Sequence, residues 1–241
     1  MQLVIDVGNT RVKAAVFKGA IQEEMVVIDK EHFTNEIGAF VGNYTIKRAI
    51  ISSVGRLSDA QRRSIQHRFP TTLLSHTTPL PFVNLYKTPE TLGVDRMGLM
   101  AAFAKAYSKK SGLVIDAGSC ITYDYMDEKG QYYGGAISPG IRLRYESMHN
   151  YTANLPLLER PVDYDLIGNT TETAMHSGAV NGVVNEIEGV INQYKQDYKI
   201  GVVVITGGDG EFLSKRLKNS IFADSNFLLQ GLNYILTQTN D

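Results

Sequence analysis

The run Leu3-Val4-Ile5-Asp6-Val7-Gly8-Asn9-Thr10 comes back half a chain later as Leu113-Val114-Ile115-Asp116-Ala117-Gly118-Ser119-Cys120. Each copy is an apolar strand that ends in an acid, a small residue and a glycine, followed by short polar groups. A second strand-like run follows each, Val12 to Phe17 and Ile121 to Met126. Strand, tight glycine turn and return strand make a hairpin. Two such hairpins predict a duplicated fold with one turn of this kind per half.

The turns have the chemistry of an anion grip. Gly8 and Gly118 lack a Cβ, so backbone N–H groups can come close to a phosphate. Asn9, Thr10 and Ser119 add side-chain donors, and Lys13 on the return strand adds a positive charge. Asp6 and Asp116 fit beside phosphate only if a cation lies between them and the ligand. The plainer alternative is ordinary hairpin chemistry, which uses the same Asp-x-Gly residues. The repeat of the pattern favours an ATP-using enzyme with a cleft between two related halves.

Composition narrows the field. Net charge is −1, so no basic field marks a nucleic-acid partner. Arg62, Arg63 and Arg68 read as the solvated face of a helix. The one cysteine, Cys120, excludes an internal disulfide and a multi-cysteine metal site, and its place in the second turn suggests a small buried residue. The N-terminus carries Asp6 and no basic region, and no apolar run approaches the ~20 residues of a membrane span. These features lead to the expectation of a cytoplasmic protein without membrane or nucleic-acid partners.

Along the chain, Met25 to Ile28 and Ala49 to Val54 read as strands and Asp59 to Arg68 as a helix. Thr77 to Pro89, with Pro79 and Pro81, reads as an extended loop. Asp95 opens a helix with Met97, Met100, Ala101, Ala104 and Tyr107 on one face. Lys109 to Gly112 then form a boundary, giving an N-terminal domain over 1–112 and a C-terminal domain over 113–241. In the second half, Gln131 to Ala136 reads as a strand, Gly134 to Gly140 as a glycine-rich loop and Ile141 to Asn150 as a helix. Thr171 to Tyr194 is the strongest helix, with Val180, Val183, Val184, Ile187, Val190 and Ile191 three and four apart. Gly178 and Gly182 within it suggest a close approach, either by a second subunit or from within the same one. Val202 to Thr206 is a buried strand. The glycines of Gly207-Gly208-Asp209-Gly210 would let a base or ribose lie against the backbone.

Together these motifs resemble the type III pantothenate kinases of the actin, hexokinase and heat-shock chaperone superfamily. The first signature stands as Asp6-Val7-Gly8-Asn9-Thr10-Arg11-Val12-Lys13. The second and most specific is Tyr86-Lys87-Thr88-Pro89-Glu90-Thr91-Leu92-Gly93-Val94-Asp95-Arg96, and the third is Asp116-Ala117-Gly118-Ser119-Cys120-Ile121-Thr122. Gly135 to Gly140 and Thr171 to Gly178 also fit. Where family members often have Thr-Ala, this chain has Ser119-Cys120, which keeps a hydroxyl donor.

The resemblance implies an α/β fold of duplicated ribonuclease H-like, actin-like domains, with mixed sheets flanked by helices. It implies transfer of phosphate from ATP to the primary hydroxyl of pantothenate, the first step toward coenzyme A. Magnesium would accompany the nucleotide, a monovalent cation (potassium or ammonium) would be held by Asp116, and the enzyme would be a homodimer. Asp6 to Lys13 and Ser119 would contact ATP. Tyr86, Gly93, Val94, Asp95, Arg96 and Thr171 would line the pantothenate pocket, with Asp95 as catalytic base. Read without the resemblance, Asp95 is an ordinary helix N-cap and Arg96 a solvated first-turn arginine. Another kinase of the superfamily, a phosphatase and a nucleotide-binding regulator are the rival readings.

Overall fold

The computed structural model describes residues 1–55 and 57–239. The chain divides into two compact units. The first comprises Met1–Lys109, Gly130–Tyr133 and Asn226–Asp241, and the second Lys110–Lys129 and Gly134–Ser225.

The first unit holds a five-stranded sheet built from β1 (Gln2–Val7), β2 (Arg11–Lys18), β3 (Ile21–Asp29), β4 (Arg48–Ser53) and β5 (Thr71–Leu73), in the order β3-β2-β1-β4-β5. β1 and β2 form the expected antiparallel hairpin, and β4 joins β1 in parallel. Parallel pairing requires a crossover, and α1 (Phe33–Gly42) lies on it. Phe33, Ile37 and Val41 of α1 pack with Leu3, Ile5, Val12 and Ala14, so one face of the sheet is covered. α2 (Asp59–Gln66) adds Ile65 to the same core and starts with a reciprocal cap between Ser58 and Gln61, worth about 1 kcal/mol.

The unit also contains α3 (Val94–Ala106) and α8 (Phe227–Gln238), which pack on each other and on β4, with α8 also against β1. No element is expected over 227–238 from the sequence reading, and the chain's last helix is thus a structural part of its first unit. In the expected loop 77–89, the short β6 (Val83–Asn84) pairs in parallel with Gln131 and Tyr132.

The second unit repeats the plan. Its strands are β7 (Gly112–Ala117), β8 (Cys120–Met126), β9 (Gln131–Pro139, of which the part from Gly134 on belongs to this unit), β10 (Val202–Thr206) and β11 (Phe222–Ala223), in the order β11-β10-β7-β8-β9. Matched one for one to β1–β5, this is the same topology, with an antiparallel hairpin and parallel β7–β10 and β10–β11 pairs. The expected duplicated α/β architecture is present. The helices are α4 (Ile141–Tyr151), α5 (Thr171–His176), α6 (Gly182–Tyr198) and α7 (Gly210–Ser214). A wide π turn at Ser177–Asn181 joins α5 to α6. Val183, Ile187 and Ile191 of α6 pack with Leu113, Ile115 and Tyr123 of the sheet.

Two local readings change. Residues 134–139 are the end of strand β9 rather than a loop, because bare glycine lets the strand press on its neighbour. A Cβ on Gly135 would overlap the Tyr123 carbonyl. Cys120 is exposed, not buried, because it lies at the turn end of the hairpin, beyond the last Ala117–Ile121 pair. No helix among the described residues is long and apolar enough to cross a membrane.

Candidate active site

The two hairpin turns share one plan, the first being one residue longer. In the first unit Asp6 is the penultimate residue of β1 and pairs with Lys13 on β2 and Ser52 on β4. In the second Asp116 pairs with Thr122 on β8 and Thr206 on β10. Each acid is therefore flanked by the same two strands of its own sheet. Asp6 is 9% exposed and Ser52 and Thr206 are buried, so the acids sit where apolar strands give way to polar turns.

The turns are closed from behind in the same way. Gly8 donates to the Arg11 carbonyl and Gly118 to the Cys120 carbonyl, both at 3.0 Å. The carbonyl just before each turn glycine accepts an amide from the loop after the partner strand: Val7 from Gly55 at 2.9 Å, Ala117 from Asp209 at 2.9 Å. Gly55 has to be a glycine, since a Cβ there would overlap the Gly8 carbonyl and lie 2.7 Å from Lys30 Nζ. Lys30 Nζ itself donates to the Asn9 carbonyl at 2.7 Å. In the second unit Gly140 donates to the Ser119 carbonyl at 3.0 Å, and a Cβ on Gly140 would overlap the Gly118 carbonyl. Val7 and Val12 are fully buried, so only their backbone faces the turn. Arg11 is turned outward to Asp29 at 3.6 Å. Asn9, Thr10 and Ser119 are exposed at the turn tips.

A cavity of about 310 Å³ lies in the second unit, bordered by Gly118, Ser119, Ile141, Tyr145, Arg160 and Asp209. Gly207 has φ +90°, and a Cβ there would overlap Asp116 Oδ1 and the Ala117 carbonyl, so the strand-to-helix turn lies flat against the hairpin. Arg160 pairs with Asp209 at 3.3 Å and stacks on Phe212. Burial raises the Asp209 carboxyl above its ordinary range, and the nearby Arg160 charge partly offsets this.

Behind that turn a polar cluster joins α4, α6, β8 and β9. Glu186 accepts from Tyr123 at 2.7 Å and pairs with Arg144, and Arg144 Nε donates to the Pro139 carbonyl at 2.9 Å. Burial, the largest single influence, pushes the Glu186 carboxyl up. Hydrogen bonds from Ser138, Tyr123 and Arg144 outweigh it and hold the group below its ordinary value. A Cβ on Gly182 would stand in ordinary contact with the Arg144 guanidinium at 3.4 Å, and nothing lies within 4 Å of one on Gly178. The close approach expected at Gly178 and Gly182 is therefore not made by another backbone among the described residues.

The second signature lies in the first unit. Gly93, not Asp95, is the N-cap of α3, because the helix begins one residue before the acid. Asp95 sits in the first turn, and its Oδ1 accepts the Arg96 amide at 2.8 Å. Arg96 is 5% exposed, so it is not the solvated arginine that its position in the sequence allows. Its guanidinium lies 5.6 Å from the Tyr86 ring centroid, and Tyr86 stacks on Tyr132 at 6.2 Å. Tyr86, Gly93, Asp95 and Arg96 are thereby gathered around the start of one helix. A Cβ on Gly93 would overlap Asp95 Oδ1. Thr171 is the first residue of α5 in the second unit, exposed and next to the capping Thr170.

The type III pantothenate kinase family model matches residues 2–193. A type III pantothenate kinase of Flavobacterium psychrophilum is 49% identical over 97% of each chain, and one of Flavobacterium johnsoniae 47% over 96% of each. The chain belongs to the type III pantothenate kinase family. The same holds at greater distance: the Bacteroides fragilis type III pantothenate kinase is 40% identical over 100% of this chain and 99% of its own. Among solved structures, a Campylobacter jejuni protein assigned to a Baf family of transcriptional activators superposes with a TM-score of 0.65, at 20% identity and 98% coverage of both chains. A hexokinase of Thermus thermophilus gives 0.51 at 12% identity, covering 100% of this chain and 99% of that one. At such identities these likenesses speak for the actin- and hexokinase-like fold of the family.

Gly55, Lys30, Gly140, Arg144 and Glu186 support the turns of this family member without belonging to the expected site. Gly140 alone carries a local signal, through its run of glycines. The others reach their turns from distant positions.

Proposed function

We propose that this chain transfers the terminal phosphate of ATP to the primary hydroxyl of pantothenate. The observation that carries the reading is the duplicated acid-ended hairpin, in a chain whose family is the type III pantothenate kinases. Asn9, Thr10 and Ser119 would present donors to the phosphates, with Lys13 supplying charge and Asp6 to Val12 shaping the turn. The cavity beside Gly118 and Asp209 would take the nucleoside, its volume falling in the usual range for small-ligand pockets.

The donor set suits a metal that travels with the nucleotide. No cluster of three or more His, Cys, Asp or Glu side chains is gathered among the described residues. Asp6 and Asp116 lie one at each turn, and a carboxylate placed there would suit magnesium, which one or two carboxylates hold and phosphates and water complete. When bound, the ion would neutralise charge on the phosphates. Asp116 is also the residue that would hold a potassium or ammonium ion.

Asp95 would orient the hydroxyl of pantothenate and accept its proton late. Taking an alcohol proton with an ordinary aspartate before bond formation would cost about 16 kcal/mol, for pKa values near ~3.9 and ~15.7. A turnover of ~10 s⁻¹ allows a total barrier of about that size, so early deprotonation would leave nothing for the transfer itself. Late transfer suits the loose transition state of phosphoryl transfer, in which positioning and charge neutralisation supply most of the rate. Arg96, buried against Tyr86, would pair with the pantothenate carboxylate, for which a planar guanidinium is well shaped. Gly93 and Val94 would border that pocket, with Thr171 contributing to it as well. The reading includes a cytoplasmic homodimer in which the bare surface at Gly178 meets the partner.

The test is ATP consumption with and without pantothenate. Turnover that requires pantothenate and yields its phosphate ester supports the reading. Phosphate release without an acceptor, turnover of a different acceptor alone, or binding without turnover would overturn it.

A further inference from the structure

We propose that Lys30 is a positioning residue for the first phosphate turn and brings to it a second positive charge besides Lys13. The inference rests on the nucleotide reading of that turn. Lys30 follows β3, far in sequence from the hairpin it touches, yet its ammonium donates to the Asn9 carbonyl at 2.7 Å. That bond fixes the peptide plane between Asn9 and Thr10. The N–H of that peptide must point opposite to its carbonyl, so a carbonyl held by Lys30 aims the amide away from Lys30.

The surroundings are arranged to keep the ammonium in place. The bare backbone of Gly55 leaves the room it occupies, since a Cβ there would stand 2.7 Å from Nζ. The Lys30 carbonyl accepts Gln61 Nε2 at 2.8 Å, and Gln61 is itself fixed by its reciprocal cap with Ser58. The backbone that carries Lys30 is therefore tied to the start of α2. Asp29, the acid beside it in sequence, faces Arg11. Among the described residues no carboxylate lies within ion-pair distance of Lys30 Nζ. An ammonium held against the turn without an ion-pair partner adds positive charge there, beside the Asp6 carboxylate and Lys13, and a triphosphate is a ligand such charge attracts. Lysine suits the task as a compact charge with three donors, of which one is used on Asn9.

The experiment compares the native chain with Lys30→Met, Lys30→Gln and Lys30→Arg. Magnesium-ATP binding is measured by titration calorimetry at low and high salt, together with KM for ATP, KM for pantothenate and thermal unfolding. Lys30→Met is expected to weaken ATP binding by about fivefold or more and to raise KM for ATP in step, leaving KM for pantothenate within about twofold. Lys30→Arg should recover most of the loss and Lys30→Gln should not, and the salt dependence of ATP binding should be shallower without the charge. ATP affinity of Lys30→Met within about twofold of native would overturn the proposal. So would equal loss toward both substrates, or a loss that follows a lowered unfolding temperature in all three variants. A native chain that binds ATP but leaves pantothenate untouched would defeat the proposed function alone, because the calorimetry would still decide the role of Lys30. A native chain that binds no ATP would overturn both.

Discussion

Gly231 of α8 meets Gly98 of α3 with no space for a side chain between the helices. A Cβ on Gly231 would overlap the Gly98 carbonyl oxygen and lie 2.9 Å from the Ala102 amide nitrogen. Neither backbone can retreat, because Leu99, Phe103, Leu232 and Leu236 are buried on the same two helices. Gly231→Ala should therefore lower stability by about 3 kcal/mol or more, despite alanine's better helix propensity. Denaturant unfolding measures it, and a stable Gly231→Ala protein would show that the helices are not locked at this crossing.

Asp95→Asn should leave ATP binding and the unfolding midpoint unchanged and remove most of the turnover. The amide oxygen of asparagine can still accept the Arg96 N–H, so the turn of α3 keeps its hydrogen bond. What is lost is the proton acceptor. A rate retained within about threefold, under ~0.7 kcal/mol of barrier, would remove Asp95 from the role of base.

Glu186 predicts an acid-sensitive second unit. Its folded carboxyl titrates below the ordinary value, so it binds fewer protons than in the unfolded chain as pH falls. Its contribution is fully present above the ordinary value of 4.5 and disappears as pH drops through the lower folded value. Glu186→Gln should lower stability at neutral pH, since Arg144 and Tyr123 lose a charged partner. It should also flatten the stability profile below about pH 4.5. Urea midpoints across pH 3 to 7 check both; parallel native and variant profiles would contradict the assignment.

Gly178 and Gly189 are both exposed on the α5–α6 stretch, and nothing lies within 4 Å of a Cβ built on either. In the chain by itself, alanine at each site should raise stability by up to about 1 kcal/mol. In the proposed homodimer only Gly178 meets the partner. Sedimentation should then show Gly178→Ala shifted toward monomer and Gly189→Ala unchanged. An identical response at the two sites would place the subunit contact elsewhere.

Activity should rise when potassium replaces sodium, and Asp116→Ala should abolish that response. The same assay in the two salts decides it, and a native enzyme indifferent to potassium would argue against a monovalent site at Asp116.

The parts of the fold visible in the sequence were those written locally. The hairpins could be read because apolar alternation, acid and turn glycine are contiguous from Leu3 to Lys13 and from Leu113 to Thr122. The α3 and α6 helices followed from their apolar spacing. α8 escaped because its apolar residues are interrupted by Gly231, whose purpose exists only opposite Gly98. Without the resemblance Arg96 reads as solvated, because the helix pattern after Asp95 gives no sign that the arginine is buried against the Tyr86 ring. The supports of the turns were hidden for the same reason. Lys30 meets Asn9, and Arg144 meets Glu186, only after the chain has crossed its own sheet.

The return of α8 to the first unit has a consequence for biosynthesis. A ribosome delivers β1 and β4 early, yet the helix that covers them, Phe227–Gln238, is made only after the second unit. The nascent β1 and β4 must wait for that helix until residues 227–238 have been made. A prematurely stopped chain would thus spoil the half that was made first.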